Sequence, residues 1–285
     1  MPQQIINGVG KAGFRMNKPV VSSYDADALA YFNANTAITS TADKEAINTF
    51  FLGLKTDGVY TKIKAMYLPI WGTAATCKWN LVNPVDSNPA FRLTFHGTSW
   101  SFTNGGIQPT NAYANTYITP LTHISNTSAH VSFYNRTNTG TGAYDMGSYG
   151  AWPNQGQFYI NFAGNYSYQL YLNNNSSNLA NIGTGTPGSN AGFFIGTRNS
   201  TTLKLFRNGT VLTNPPYTAV NNSSSTSTNS DANYWLGACS YGTQVNGYGI
   251  RRFSFASIGD GLTDVQTANF NTRVQTLMTY FNINV

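Results

Sequence analysis

The chain has 285 residues, 41% of them hydrophobic and only 9% charged, against roughly 25% charged in ordinary soluble domains. There is enough apolar material for a real core, but the surface is polar without being ionic, as in extracellular adhesins and virion proteins and unlike most cytosolic enzymes. The net charge of +6 contains no basic run beyond Arg251–Arg252, which speaks against nucleic acid as a partner, and no stretch approaches the ~20 apolar residues of a membrane span.

Residues 1–22 read as an extended arm, with Lys11, Arg15 and Lys18 set among Gly and Pro; such a terminus is ordered only when tied down. The N-terminal sequence lacks the apolar core of a signal peptide. Residues 25–33 (DADALAYFN) predict a short helix with acids in its first turn, where the helix dipole favours them. A longer helix is predicted over 41–56, with Ile47, Phe50, Phe51 and Leu54 as its apolar face and Gly58 as its stop. Residues 23–59 thus form a helical lead-in to the remainder, 60–285.

From Thr61 onward the pattern is that of strands. KIKAMYLPIWG, CKWNLV, FRLTFHG, SWSFT, NAYANTYITP, HVSFYNR, GQFYINF and YSYQLYLN are short apolar-alternating runs separated by turn formers. Their regular spacing predicts an all-β sandwich rather than βαβ units. The clearest hairpin is TLKLFRNGTVLTN, where Asn208–Gly209 supplies the two positive-φ residues of a type I′ turn. Two segments read as long loops, 138–156 with Tyr144, Tyr149 and Trp152, and the low-complexity 213–231; long loops are usually functional or disordered. The aromatic one is the candidate for function, the Ser/Thr-rich one for disorder.

The last 36 residues predict a strand, a tight turn and a helix. Phe253 and Phe255 alternate with Arg252, Ser254 and Ala256, the pattern of a half-buried strand. Gly259 and Gly261 then allow positive φ. Thr263 and Gln266 make a capping box, and Phe270, Val274, Leu277, Met278 and Phe281 form one apolar stripe that needs a sheet to lie on.

The chemistry-bearing residues are few. Cys77 and Cys239 match no metal or redox spacing and read as two buried thiols, with a single bridge left open. Glu45 is the only glutamate. Glycoside hydrolysis normally needs two flanking carboxylates. Among the acids of the β region only Asp260 and Asp264 lie within four residues of each other, at a turn and a helix start. His96, His123 and His130 read as structural, and no G-x-S-x-G elbow is present. The expectation is therefore a protein without enzymatic activity. Carbohydrate, by contrast, is bound by aromatic faces together with amide and carboxylate groups aimed at hydroxyls. Tyr144, Asp145, Tyr149, Trp152 and Asn154, within the first loop, have that composition, while Trp71, Trp79, Trp100 and Trp235 are expected in the core.

The runs FFIGTRNSTTLKLFRNGT, YWLGACS and RRFSFASIGDGLTD resemble lectin-like jelly-roll domains of the concanavalin A/laminin-G type, in particular those of tailed-bacteriophage structural proteins. INTFFLGLKTDGVYTKIKAMY resembles the segment that precedes such domains. The resemblance covers roughly residues 60–285 and is best in 192–285. It implies a jelly-roll β-sandwich with the C-terminal helix packed on it, in a virion: a capsid-surface, head-fibre or tail-fibre protein. It also implies attachment to other virion proteins through the N-terminal arm, a homo-oligomer with a trimer favoured, and a host or mucosal glycan as ligand. No catalytic residue of the family can be carried over, because the matching acids are missing. No cofactor is expected; calcium, which lectin-like jelly rolls often hold, would have the loop acids Asp145 and Asp231 to draw on. A soluble carbohydrate-binding lectin outside any particle is the alternative, and a glycan-degrading enzyme the third.

Overall fold

The computed structural model describes residues 24–138, 143–150, 157–163, 167–174, 180–183, 190–212, 221–222 and 230–285. Two helices come first, α1 (Ala26–Ala34) and α2 (Thr41–Thr56). Then follow β1 (Ile63–Tyr67), the one-turn helix α3 (Ala74–Cys77), β2 (Thr94–His96), β3 (Trp100–Thr103), β4 (Gly106–Pro109) and β5 (Tyr113–Asn115). After a second one-turn helix, α4 (Pro120–His123), come β6 (Ser128–Asn135), β7 (Ala143–Tyr149), β8 (Gln157–Ala163), β9 (Ser167–Asn174) and β10 (Ala180–Gly183). The last part holds β11 (Gly192–Asn199), β12 (Thr202–Arg207), β13 (Thr210–Val211), β14 (Asn221–Asn222) and β15 (Trp235–Leu236). It ends with β16 (Ala238–Tyr241), β17 (Gln244–Tyr248), β18 (Phe253–Gly259) and α5 (Asp264–Tyr280).

These strands build two sheets, so the chain is mostly β with a few helices, as an all-β sandwich requires. The first sheet runs β13-β12-β11-β6-β18-β4-β3, with β1 also on β18 and β14 on β12. The second runs β10-β9-β8-β7-β15-β5-β2, with β16 and β17 attached at β7. Between them lies one core, to which β6 contributes Ala129, Val131 and Phe133, β18 contributes Phe253, Ala256 and Ile258, and the second sheet contributes Ala114, Met146, Leu170, Leu172 and Leu236. A second core lies on the other side of the first sheet, where Tyr134, Phe193, Ile195, Phe206 and Phe255 meet α1, α2 and α5. The layers are therefore helices, first sheet, second sheet.

This layering explains a difference from the sequence pattern. β18 is buried along its whole length rather than on one face, as is nearly all of β6, because helices cover the side that alternation would leave in water. The pairing of β18 with β6 also shifts register between Phe253 and Phe255. That bulge sends Phe253 into the inter-sheet core and Phe255 under the helices, although strict period 2 would place both on one face. Under the helices Phe255 meets Phe50 at 6.0 Å, Phe193 at 5.8 Å and Phe270 at 5.9 Å, all edge-on, and each such pair contributes about 0.5–1.5 kcal/mol beyond burial.

The helices form where expected. In α2, Ser40 caps the Asp43 amide and Ile47, Phe50, Phe51 and Leu54 are buried. In α5, Thr263 and Gln266 make the capping box in both directions, and Phe270, Val274, Leu277 and Met278 are buried. The two helices are held together by Arg273 on Asp57 at 2.8 Å and by Gln266 Nε2 donating to the Gly58 carbonyl at 2.9 Å. The Asn208–Gly209 turn has φ of 47° and 80°, as type I′ requires. Cys77 and Cys239 are both free and buried. Among the described residues no helix is long and apolar enough to cross a membrane.

His130 sits at the seam between β6, β18 and the start of α5. Its Nδ1 lies 2.6 Å from the Asp260 carbonyl, its Nε2 lies 3.0 Å from Ser257 Oγ, and Ser257 Oγ lies 2.7 Å from Ser132 Oγ. A carbonyl only accepts, so Nδ1 carries the proton, Ser257 donates to Nε2 and Ser132 donates to Ser257. Full burial pushes the imidazole down to about 4 from its ordinary 6.5. The folded state thus resists protonation that the unfolded chain accepts, so stability falls as pH drops from 6.5 towards 4, by roughly 2–3 kcal/mol at pH 4.5 relative to pH 7. Urea titrations at the two pH values should show this loss in the wild type and a smaller one in His130→Gln; equal losses would remove His130 as the cause.

Candidate functional site

Helices occupy the outer face of the first sheet, which leaves the outer face of the second as the other sheet surface. Register assigns its residues. Phe95, Ala114, Leu236 and Met146 lie in one cross-strand row, and three of the four belong to the inter-sheet core, with Phe95 packed against it. The neighbouring row, Thr94, Asn115, Trp235 and Gly147, must therefore face outward, as must the pair His96 and Tyr113. Tyr113 stacks on His96 at 4.7 Å and on Trp235 at 3.8 Å, both nearly parallel. β5 lies between β2 and β15, so the three rings form one aromatic stack across three strands.

Beside this stack is a cleft of about 430 Å³ lined by Asn115, Asp231, Ala232, Asn233, Trp235, Gly242 and Thr243. Its amides are oriented from behind. Asn115 Oδ1 accepts from the Tyr117 amide at 2.8 Å, and Asn233 Oδ1 accepts from Thr119 Oγ1 at 2.9 Å. With both oxygens engaged, each carboxamide has its Nδ2 donors left, and these meet no acceptor among the described residues. Trp235 Nε1 likewise has no acceptor among the described residues. Gly242 N donates to the Tyr149 carbonyl at 3.2 Å and Ser240 Oγ donates to the Asn233 carbonyl at 2.7 Å, which hold the hairpin turn and the 231–233 segment on either side of the cleft. The arrangement offers one aromatic wall and the oriented carboxamide donors of Asn115 and Asn233, with Asp231 in the lining, a set suited to a hydroxyl-bearing ligand.

The residues singled out from sequence are placed differently. Residues 143–149 are not a loop: they form β7, paired with β8, β15 and β16. Asp145 is buried and its Oδ2 accepts from Arg251 Nη1 at 2.9 Å, with both side chains 1% exposed or less. Tyr144 and Tyr149 pack against Cys239, and Tyr149 lies 5.0 Å from Tyr241. Trp152 and Asn154 lie outside the described residues, as do the arm at 1–22 and most of 213–231. The structure thus brings Tyr144 and Tyr149 together and directs Asp145 to Arg251 instead. Trp235, expected in the core, is 5% exposed, yet it belongs to the outer face. Tyr113, Asn115 and Tyr117 alternate with Ala112, Ala114 and Thr116 in NAYANTY, a signal of one aromatic–amide face that could have marked the cleft. Among the described residues no group of three or more His, Cys, Asp or Glu could hold a metal.

No protein-family model matches the chain, and no curated protein matches it. Among solved structures it is similar to domain 4 of a GH43 extracellular arabinanase from Geobacillus stearothermophilus, in complex with arabinotriose, at 15% identity and a TM-score of 0.47 over 73% of this chain and 98% of that one. It is similar to a Trypanosoma rangeli sialidase variant displaying trans-sialidase activity at 5% identity and a TM-score of 0.49; the match takes in 82% of this chain but only 39% of the sialidase. A Ruminococcus gnavus IT-sialidase CBM40 bound to α2,3-sialyllactose matches at 15% identity and a TM-score of 0.33, over 48% of this chain and 77% of that one. With TM-scores below 0.5 these likenesses carry no functional argument. They do correct one expectation. The matched proteins are mainly glycoside hydrolases, so the exclusion of enzymatic activity drawn from the carboxylate spacing is withdrawn. The physical reason is that a fold can assemble carboxylates from strands distant in sequence, which spacing along the chain does not register.

Proposed function

We propose that this chain is a glycan-binding module whose ligand occupies the cleft beside Trp235. The observation that carries this reading is the pair of carboxamides, Asn115 and Asn233, each fixed through its oxygen and left with its N–H donors at an aromatic-walled cleft on the outer face of the second sheet. Sugars require such pre-oriented donors, because a hydroxyl is bound well only by partners that need no reordering. In this reading residues 60–285 are a jelly-roll domain of the concanavalin A type, 23–59 its lead-in and 1–22 an arm that joins it to other proteins of a tailed-phage particle as a trimer. The low surface charge and the C-terminal sequence signature support that setting.

A glycan array probed with the purified protein should give a defined set of positives. Asn233→Ala and Trp235→Phe should each weaken binding about tenfold or more, the loss of roughly 1.4 kcal/mol, with circular dichroism unchanged. Undiminished binding in both variants excludes the cleft, and Trp152→Ala then tests the 138–156 segment. Labelling of purified particles by antibodies to the protein tests the virion setting; absence from particles leaves a soluble lectin.

A further inference from the structure

The chain contains ten acidic side chains, and all ten fall within the described residues. Seven of them, Asp25, Asp27, Asp57, Asp86, Asp145, Asp260 and Asp264, are in ion pairs with other cations. Asp43 accepts from Tyr280, Glu45 is exposed on α2, and Asp231 lines the Trp235 cleft. No carboxylate side chain therefore forms an ion pair with Arg136 or Arg252.

These two arginines face each other. Asn135 pairs with Phe253, and one residue further on the Arg136 amide donates to the Arg252 carbonyl at 2.8 Å. Residues directly opposed in an antiparallel pair share a face, and like charges placed so are destabilising. Phe253 points into the inter-sheet core, so both arginines point to the helix side, far from the Trp235 cleft on the opposite surface. Arg136 Nη1 donates to the Gly105 carbonyl at 2.6 Å, a carbonyl also held by Ser254 Oγ at 2.7 Å. The guanidinium of Arg252 makes no hydrogen bond or ion pair with any described residue, and the Nε atoms of both arginines are buried without an acceptor. Burial, and next the charge of Arg252, draw the Arg136 guanidinium below its ordinary range.

We propose that Arg136 and Arg252 form an oxyanion-binding site, taking a carboxylate or phosphate group between the two guanidiniums where β6 and β18 end. An oxyanion supplies acceptors for the vacant N–H groups and neutralises a repulsion that no carboxylate side chain of this chain relieves. The site is independent of the glycan reading and stands or falls without it.

Thermal unfolding at constant ionic strength tests it, with chloride exchanged for inorganic phosphate or for glucuronate, and with glucose added to the chloride buffer as a neutral control. The melting temperature of the wild-type chain should rise with millimolar phosphate or glucuronate and not with glucose. Arg252→Gln, which removes no hydrogen bond, should fold normally, melt at or above the wild-type temperature without the anion, and lose the anion-dependent rise. Arg252→Lys should keep part of it. A rise with phosphate alone identifies a phosphate group as the ligand, a rise with glucuronate alone an acidic sugar. No rise with either anion, or an equal rise in wild type and Arg252→Gln, overturns the proposal.

Discussion

Asp145→Ala is expected to destabilise the protein by roughly 3–5 kcal/mol, because it removes the carboxylate that pairs with the Arg251 guanidinium in a site without solvent. The pair closes at 2.9 Å, and Arg251 is among the largest fully buried side chains of the molecule. The consequence reaches the cleft. The Asp145 carbonyl accepts from the Gly237 amide at 2.7 Å, and the Gly237 carbonyl accepts from Gly249 at 2.7 Å, so the strand that carries Trp235 is held where Asp145 is held. Denaturant titration should show the loss for Asp145→Ala and for Arg251→Met taken singly. The double variant Asp145→Leu/Arg251→Met should regain most of it, since a buried ion pair is worth little more than apolar groups of like volume. If the double variant is as unstable as the sum of the singles, the pair is not the origin of the effect.

Gly259→Ala should cost roughly 3 kcal/mol or more, at or beyond the upper end of what forcing an extra carbon into a packed site usually costs. A methyl at this position would fall on the Lys62 carbonyl oxygen and within 2.9 Å of Ile63 Cα, both main-chain atoms of the segment that enters β1. It would also press on the His130 ring, 2.7 Å from Cε1. Gly261 is in the same position against the Arg198 carbonyl. Neither glycine has positive φ; the run that sequence marked as a turn needing left-handed backbone instead needs the absence of a side chain where two strands approach. A control separates these causes. Gly58 has φ of 65°, and a side-chain carbon added there would meet nothing nearer than 3.7 Å, so Gly58→Asn should cost under ~1 kcal/mol, asparagine being tolerant of that backbone. Comparable losses at Gly58 and Gly259 would refute the close-approach account.

What the sequence made legible was local. The capping box at Thr263, the apolar stripe of α5, the face of α2 and the Asn208–Gly209 turn are each set by residues within a dozen positions of one another, and each forms as read. What it concealed depends on distant partners. The burial of β18 on both faces follows from α2, two hundred residues earlier in the chain, and the bulge between Phe253 and Phe255 is a property of pairing with β6. Residues 143–149 looked like a loop because Gly and Tyr are mixed in them, yet β15 and β16 supply the edge that makes them a strand. The cleft was missed for the same reason: Asn115, Asn233 and Trp235 come from two regions 118 residues apart in sequence and meet only through sheet register.

The position of β18 also bears on the order in which the molecule can be made. It lies between β6 on one side and β1 and β4 on the other, so the middle of the first sheet is filled by a strand made more than a hundred residues after β6. Until Phe253–Gly259 emerges, β6 presents an unpaired edge lined with apolar side chains, the kind of surface that recruits other chains. Pairings of this sequence separation also make folding slow. Between the synthesis of β6 and that of β18 the central sheet of a nascent chain is therefore incomplete, and that interval is where chaperones should bind it during translation.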